Sequence, residues 1–211
     1  MSSENIDIPR LIKDSRETLL NPKDYFSSLP LTGGFTEPVI KAAIYGTIAG
    51  LFSLLWAVLG LSVLGGTMWS GTIGILTLIY SIIGAIIAAF IGGGIMLVIS
   101  AICGGNTDYE ANFRVATSLM VVYPINAFMA FLYGIHTDLA SVVGLAVTIY
   151  SLYLLYHATI QSLKGKESSV KIVAIVLVLL SLLGYYGSRK VSRTVQEYSD
   201  MFEEEQVDQI D

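Results

Sequence analysis

A single cysteine, Cys103, stands in 211 residues. The chain can therefore close no intramolecular disulfide and build neither a redox pair nor a multi-cysteine metal site; Cys103 is expected to be an inert bundle residue. Charge is scarce too. Asp, Glu, Lys and Arg make up 14% of the sequence, where soluble domains carry about a quarter. None occurs between Lys41 and Asp108, between Arg114 and Asp138, or between Asp138 and Lys164. No Ser/His/Asp set, phosphate loop or acid/base carboxylate pair is recognisable, and His136 with Asp138 in one short loop makes a poor metal site. Nothing in the pattern points to an enzyme, a cofactor or a metal.

What fills the space is apolar. Hydrophobic residues make up 54% of the chain and the mean hydropathy is +0.67. Five uncharged runs are long enough for a bilayer core of about 30 Å, which takes about 20 helical residues: Ala42 to Leu64, Ile73 to Ala101, Val115 to Tyr133, Leu139 to Ile160 and Val170 to Tyr186. Alternating ten-residue segments of barrel type are absent, so the expected fold is all-α, a polytopic membrane helix bundle with five transmembrane helices. The organisation is an interfacial N-terminal segment, 1–41, a transmembrane domain, 42–188, and a polar, acidic tail, 189–211. The second run would be roughly 44 Å long as one helix; Gly92, Gly93 and Gly94 mark the place for a kink or a half-span break. The first forty residues hold no apolar core of a cleaved signal, so the first span reads as an uncleaved signal anchor.

The N-terminal segment is amphipathic. Ile8, Leu11, Ile12, Leu19 and Leu20 fall on one helical face, with Arg10, Lys13, Asp14, Arg16 and Glu17 on the other. In "NPKDYFSSLP", Asn21 is an N-cap, Pro22 a first helical residue and Pro30 a stop. Two helices on the inner membrane surface follow, either bracing the first span or docking a soluble partner through Leu11, Ile12, Tyr25 and Phe26. Thr36, Glu37 and Pro38 then start the first span.

In "GGNTDYEANFRVATSLMVVYPIN", Gly104 and Gly105 permit a tight turn, and Thr107 with Glu110 has capping-box spacing. Asp108 and Glu110 complement the helix dipole, and Arg114 follows Glu110 at the spacing of a surface ion pair. Pro124 predicts a kink and leaves the carbonyl of Met120 without its usual donor. Asn126, an amide at membrane depth, is expected to face the bundle, where it bridges helices, satisfies that carbonyl or lines a polar passage. His157, among Tyr150, Tyr153 and Tyr156, reads as part of an aromatic belt or as a proton-responsive switch. Gly46 with Gly50, and Gly84, Ala88 and Gly92, have the spacing of close helix contacts, within the chain or between copies.

Nine of the twelve Lys and Arg fall on the N-terminal side of a five-span chain, and Arg189, Lys190 and Arg193 lie beyond the last span. Lys171 can snorkel to the headgroups. The count favours a cytoplasmic N-terminus and a C-terminus outside, although "SRKVSR" alone would prefer the cytoplasm. Past it, Val191, Val195, Tyr198 and Phe202 fit a short amphipathic helix or a frayed end.

The lead-in "NPKDYFSSLP…GGF…P", followed by "GGNTDYEANFRVATSLMVVYP" in the third span, resembles the Yip-domain family, the Ypt/Rab-interacting proteins and their prokaryotic relatives. The resemblance runs from about Leu11 to Tyr186. It implies a five-span membrane protein with a cytoplasmic N-terminus and, for eukaryotic members, association with small GTPases and with vesicle budding or membrane shaping. Those members carry an Asp-Leu-Tyr-Gly-Pro motif ahead of the spans. Here the nearest string, "FLYGIH" from Phe131 to His136, ends the third span, so GTPase binding does not carry over and the chain resembles the prokaryotic branch, in a plasma membrane. Two functions follow: a non-enzymatic scaffold or adaptor in membrane organisation, with an unknown protein partner, or a small-solute or ion transporter using the Gly92–Gly94 break and the Pro124/Asn126 kink.

Overall fold

The computed structural model describes residues 8–61 and 71–207, with side chains over 8–61 and 76–187. Among them the chain is helical and holds no strand. Five helices are long and apolar enough to cross a membrane: Thr36–Val58, Leu76–Ile102, Tyr109–Ile135, Thr137–Gln161 and Glu167–Gly187. The predicted membrane bundle is the observed fold. Part of the predicted end of the first span, residues 62–64, and most of the loop expected from Gly65 to Thr72 lie outside the described residues.

Two short helices, α1 (Ile8–Leu20) and α2 (Pro22–Ser28), precede the first span. They form a strap on one end of the bundle, here the proximal end. Pro22 opens α2 as expected, but the Asn21 side chain reaches back to Glu17 rather than capping the helix. The first span is α3 (Thr36–Val58). The second, α4 (Gly71–Ile102), is one unbroken helix, about 48 Å long.

That continuity corrects the break expected at Gly92–Gly94. A Cβ on Gly93 would sit 3.1 Å from Cα of Phe113, so this glycine lets the next span approach. Gly46 and Gly50 do the same between α3 and α4: a Cβ on Gly46 would lie 2.6 Å from that of Ala85. Their close contact is spent within the chain. Gly84 meets nothing within 4 Å and faces outward with Ala88.

The third span is α5 (Tyr109–Leu119), α6 (Val122–Met129) and α7 (Leu132–Ile135). Its first break falls at Met120–Val121, because the Pro124 ring clashes with the carbonyl four residues back. The Met120 carbonyl is not orphaned, as expected from sequence; it accepts the Tyr123 N–H at 2.9 Å. At the second break the Ala127 carbonyl accepts Trp56 Nε1–H at 3.0 Å.

The fourth span is α8 (Thr137–Gln161). The fifth opens α9 (Glu167–Val207), which continues as helix for about 30 Å past Gly187. The C-terminal stretch is thus an extension of the last span rather than a separate interfacial helix. Val170 is buried at its base, while Ile172, Ile175, Leu179 and Leu183 face outward.

Candidate functional site

The proximal end is built around α5. Every residue from Ala111 to Ser118 is buried, so this helix is enclosed on all sides. Its start is capped by Asp108, whose carboxylate accepts the Ala111 N–H at 2.9 Å. The expected capping box of Thr107 and Glu110 does not form, because Glu110 turns outward to the strap linker and accepts the Gly34 N–H at 2.6 Å.

Arg114 is the centre of this linkage and is only 5% exposed. Nε meets Glu110 at 3.3 Å, Nη1 meets Glu37 at 3.1 Å, and Nη2 donates to the Gly34 carbonyl at 2.8 Å. A planar guanidinium spreads its donors over three nitrogens and so reaches three partners too far apart for the single nitrogen of an ammonium. Gly33, at φ +127°, makes the approach possible, since a Cβ there would lie 2.8 Å from Nη2 of Arg114. The sequence spacing identified the Glu110 partner as a surface pair. It missed the burial and the two partners from the strap linker and α3, which are distant in sequence.

The strap is stitched to the bundle. Ser15 Oγ shares a hydrogen bond with Tyr45 Oη at 2.8 Å, and Tyr150 donates its hydroxyl to the Leu19 carbonyl. Tyr150 lies about three turns from the end of α8, so α1 runs into a groove between α3 and α8. Leu11 and Leu19 pack there against Tyr45, Val121 and Leu154. Ser162 Oγ donates to the Phe26 carbonyl at 2.6 Å.

Of the four residues expected to form a docking face, Tyr25 and Phe26 are buried in the core and Leu11 is partly buried, whereas Ile12 is 64% exposed. Burial of the first two follows from α2 lying over α8, a contact invisible to periodicity.

Gly104 and Gly105 make a tight turn, with Gly104 at φ +67°. A Cβ on Gly105 would stand 2.7 Å from both the Leu163 carbonyl and Ser100 Oγ. The turn interlocks with the one after α8: Asn106 N–H donates to Leu163 and Lys166 N–H to Cys103. Cys103 is fully buried beneath it, and burial pushes its thiol up, toward the inert state expected. His157 packs edge-on against Tyr153 and Tyr156, and its Nδ1 is buried without a hydrogen-bond partner.

Pro124 and Asn126 lie on α6, away from these groups. Asn126 is exposed on the outer surface of the bundle, contrary to the expectation that it faces inward. The expectation rested on an amide needing a partner within the bundle, and the Asn126 side chain is instead on the exposed side of α6.

Between strap, α3 and α5 lies a cavity of about 170 Å³. Tyr25, Arg114, Thr117 and Ser118 form its buried floor, and Arg10, Ser28 and Glu37 its exposed mouth. Lys41 reaches into it from α3, donating to Tyr25 Oη at 2.9 Å and to Ser118 Oγ at 3.4 Å. Among the described residues no group of three His, Cys, Asp or Glu side chains could hold a metal.

Comparison with curated proteins and with solved structures finds no match. The Yip1 domain family model matches residues 16–188, from the middle of α1 to the end of the fifth span. The matched region contains the glycine turns, Arg114 and the strap contacts just described, and the chain belongs to the Yip1 domain family.

Proposed function

We propose that this integral membrane protein is a non-enzymatic scaffold or adaptor that organises the bilayer and a protein partner, in processes of trafficking type. The observation that carries the reading is the strap. Its inward side is fixed to the bundle, while its outward edge shows Ile8, Ile12 and Leu20 beside the exposed cations Arg10, Lys13 and Arg16. An amphipathic helix with that edge sinks its apolar side chains to the acyl boundary and keeps its cations at the headgroups. Held rigidly on a bundle, it spreads one leaflet and presents a fixed surface. The unbroken α4 supports this reading over a solute path, which drew on a break at Gly92–Gly94 as well as the kink at Pro124 and Asn126.

The proximal end is assigned to the cytoplasm of a prokaryotic cell, with α9 projecting outside the plasma membrane, on the count of nine Lys and Arg against three. The test replaces Ile12 by a photocrosslinking residue in native membranes. Lipid adducts together with one recurrent protein adduct, both lost in an Ile8→Asp variant that folds normally, are expected. Selective solute flux through reconstituted vesicles, with no recurrent adduct, would sink the scaffold and restore the transporter.

A further inference from the structure

Lys41 is a cation with no anion of its own. Among the described residues no carboxylate lies within ion-pair distance of its nitrogen. Its two hydrogen bonds go to neutral hydroxyls, and it stands 5.4 Å from the Tyr25 ring centroid. An ammonium has three hydrogens to donate, so one remains unspent. Asp14, on the same cavity, acts on it only from a distance, and a largely enclosed charge without a direct counter-ion is costly unless something supplies one.

The surroundings favour an oxyanion. Ser118 Oγ already donates to the Arg114 carbonyl and Thr117 Oγ1 to carbonyls of its own helix, which leaves the Lys41 and arginine N–H groups as the donors facing the space. Arg114 spends three of its five N–H groups. Three cations, Arg10, Lys41 and Arg114, line the cavity against two carboxylates, Asp14 and Glu37. Glu37 is already engaged by both arginines, at 3.1 and 3.8 Å. The volume, about 170 Å³, far exceeds the 10–15 Å³ or so that one water needs. Lys41 lies about one and a half turns inside the start of α3, and the mouth opens at the proximal surface.

We propose that this cavity is a phosphate site, in which Lys41, flanked by Arg114 and Arg10, receives the phosphate of an anionic phospholipid headgroup or of a soluble phosphate ester. The bound group bridges α3, α5 and the strap, so occupancy locks the strap down. The site does not depend on the scaffold reading, and its test measures binding rather than partner capture, so the two can fail separately.

The full chain is melted in phosphatidylcholine nanodiscs at constant ionic strength, with inorganic phosphate against chloride, and again in nanodiscs containing phosphatidic acid. A rise in melting temperature with inorganic phosphate identifies a soluble ester as ligand. A rise only with phosphatidic acid identifies a headgroup. In either case Lys41→Gln should weaken the response at least about tenfold, and Asp14→Asn, which removes the competing carboxylate, should strengthen it. The proposal is overturned if neither anion stabilises the wild type, or if Lys41→Gln responds as the wild type does. Should Lys41→Gln fail to fold, Asp14→Asn decides: a response no stronger than that of the wild type overturns it.

Discussion

At the proximal end Arg114, Asn112, Ser118 and Ser162 are buried and each makes at least one side-chain hydrogen bond to another segment, while the buried Thr117 and Thr159 donate to carbonyls of their own helices. At the distal end Phe52, Trp56, Phe128 and Phe131 meet ring to ring, with centroids 5.2 to 6.4 Å apart. There one indole N–H serves a broken helix. The difference follows from what each end must join. Proximally, a polar strap enters an apolar bundle, so every polar group it brings needs a partner, because lipid offers none. Distally, only spans meet, and dispersion between rings suffices. Lipid tails are as apolar as the side chains they would replace, so distal contacts distinguish native packing only weakly. The proximal end therefore carries the specificity of the fold.

That contrast breaks most visibly at Arg114. Arg114→Met leaves Glu110 and the Gly34 carbonyl without their guanidinium donors and deprives Glu37 of its closest cation. The expected loss is about 3 kcal/mol, the low end for breaking a buried pair because Glu37 is half exposed. Unfolding in mixed micelles measures it. Arg114→Lys should recover only a minor part, since one ammonium cannot reach three partners. Next in size is Gly105→Ala, where the added methyl meets backbone at 2.7 Å and the two interlocked turns must part. About 2 kcal/mol is expected, in the range for overpacking. Gly84→Ala, on the outward face of α4, is the matched control and should be neutral or mildly stabilising.

Sequence pattern carried the bundle because hydropathy is local: each span is a contiguous run, and none of the five was missed. The turn at Gly104–Gly105 and the break ahead of Pro124 were legible for the same reason. Arg114 was legible only as far as Glu110, four residues away; Glu37 and Gly34 approach it from another part of the chain, and no periodicity records that. Tyr25 and Phe26 read either as bracing the first span or as a docking face, because amphipathicity says which face is apolar but not what covers it. Here α8 covers it, and the cavity lined by Lys41 exists only because the strap folds over it.

A smaller step compares one hydroxyl with one indole. Tyr25→Phe removes the proximal bond to Ser118 and the acceptor for Lys41, and the ammonium is left with Ser118 alone. Trp56→Phe removes the distal donor to the Ala127 carbonyl while keeping a ring in the cluster. Each is expected to cost about 1 kcal/mol. The proximal variant should also loosen the strap, read as faster amide exchange in residues 8–28, whereas the distal one should leave the strap unchanged. Equal strap exchange in both would dissolve the distinction between the ends.

The smallest effect is expected at Asn126. Its amide lies on the outer surface of α6, so no contact within the chain is lost when Asn126→Leu is made, and removing an amide from lipid offsets any local change. Stability should stay within about 0.5 kcal/mol of the wild type. Interhelical hydrogen bonds in membranes average only about 0.6 kcal/mol, so the informative readout is how stability varies with protein-to-lipid ratio. No variation places Asn126 against lipid, and the distal half remains the passive partner in the comparison. A loss that grows as the protein is diluted would mean that a second copy covers this face, and the distal end would then own a specificity device that the single chain does not display.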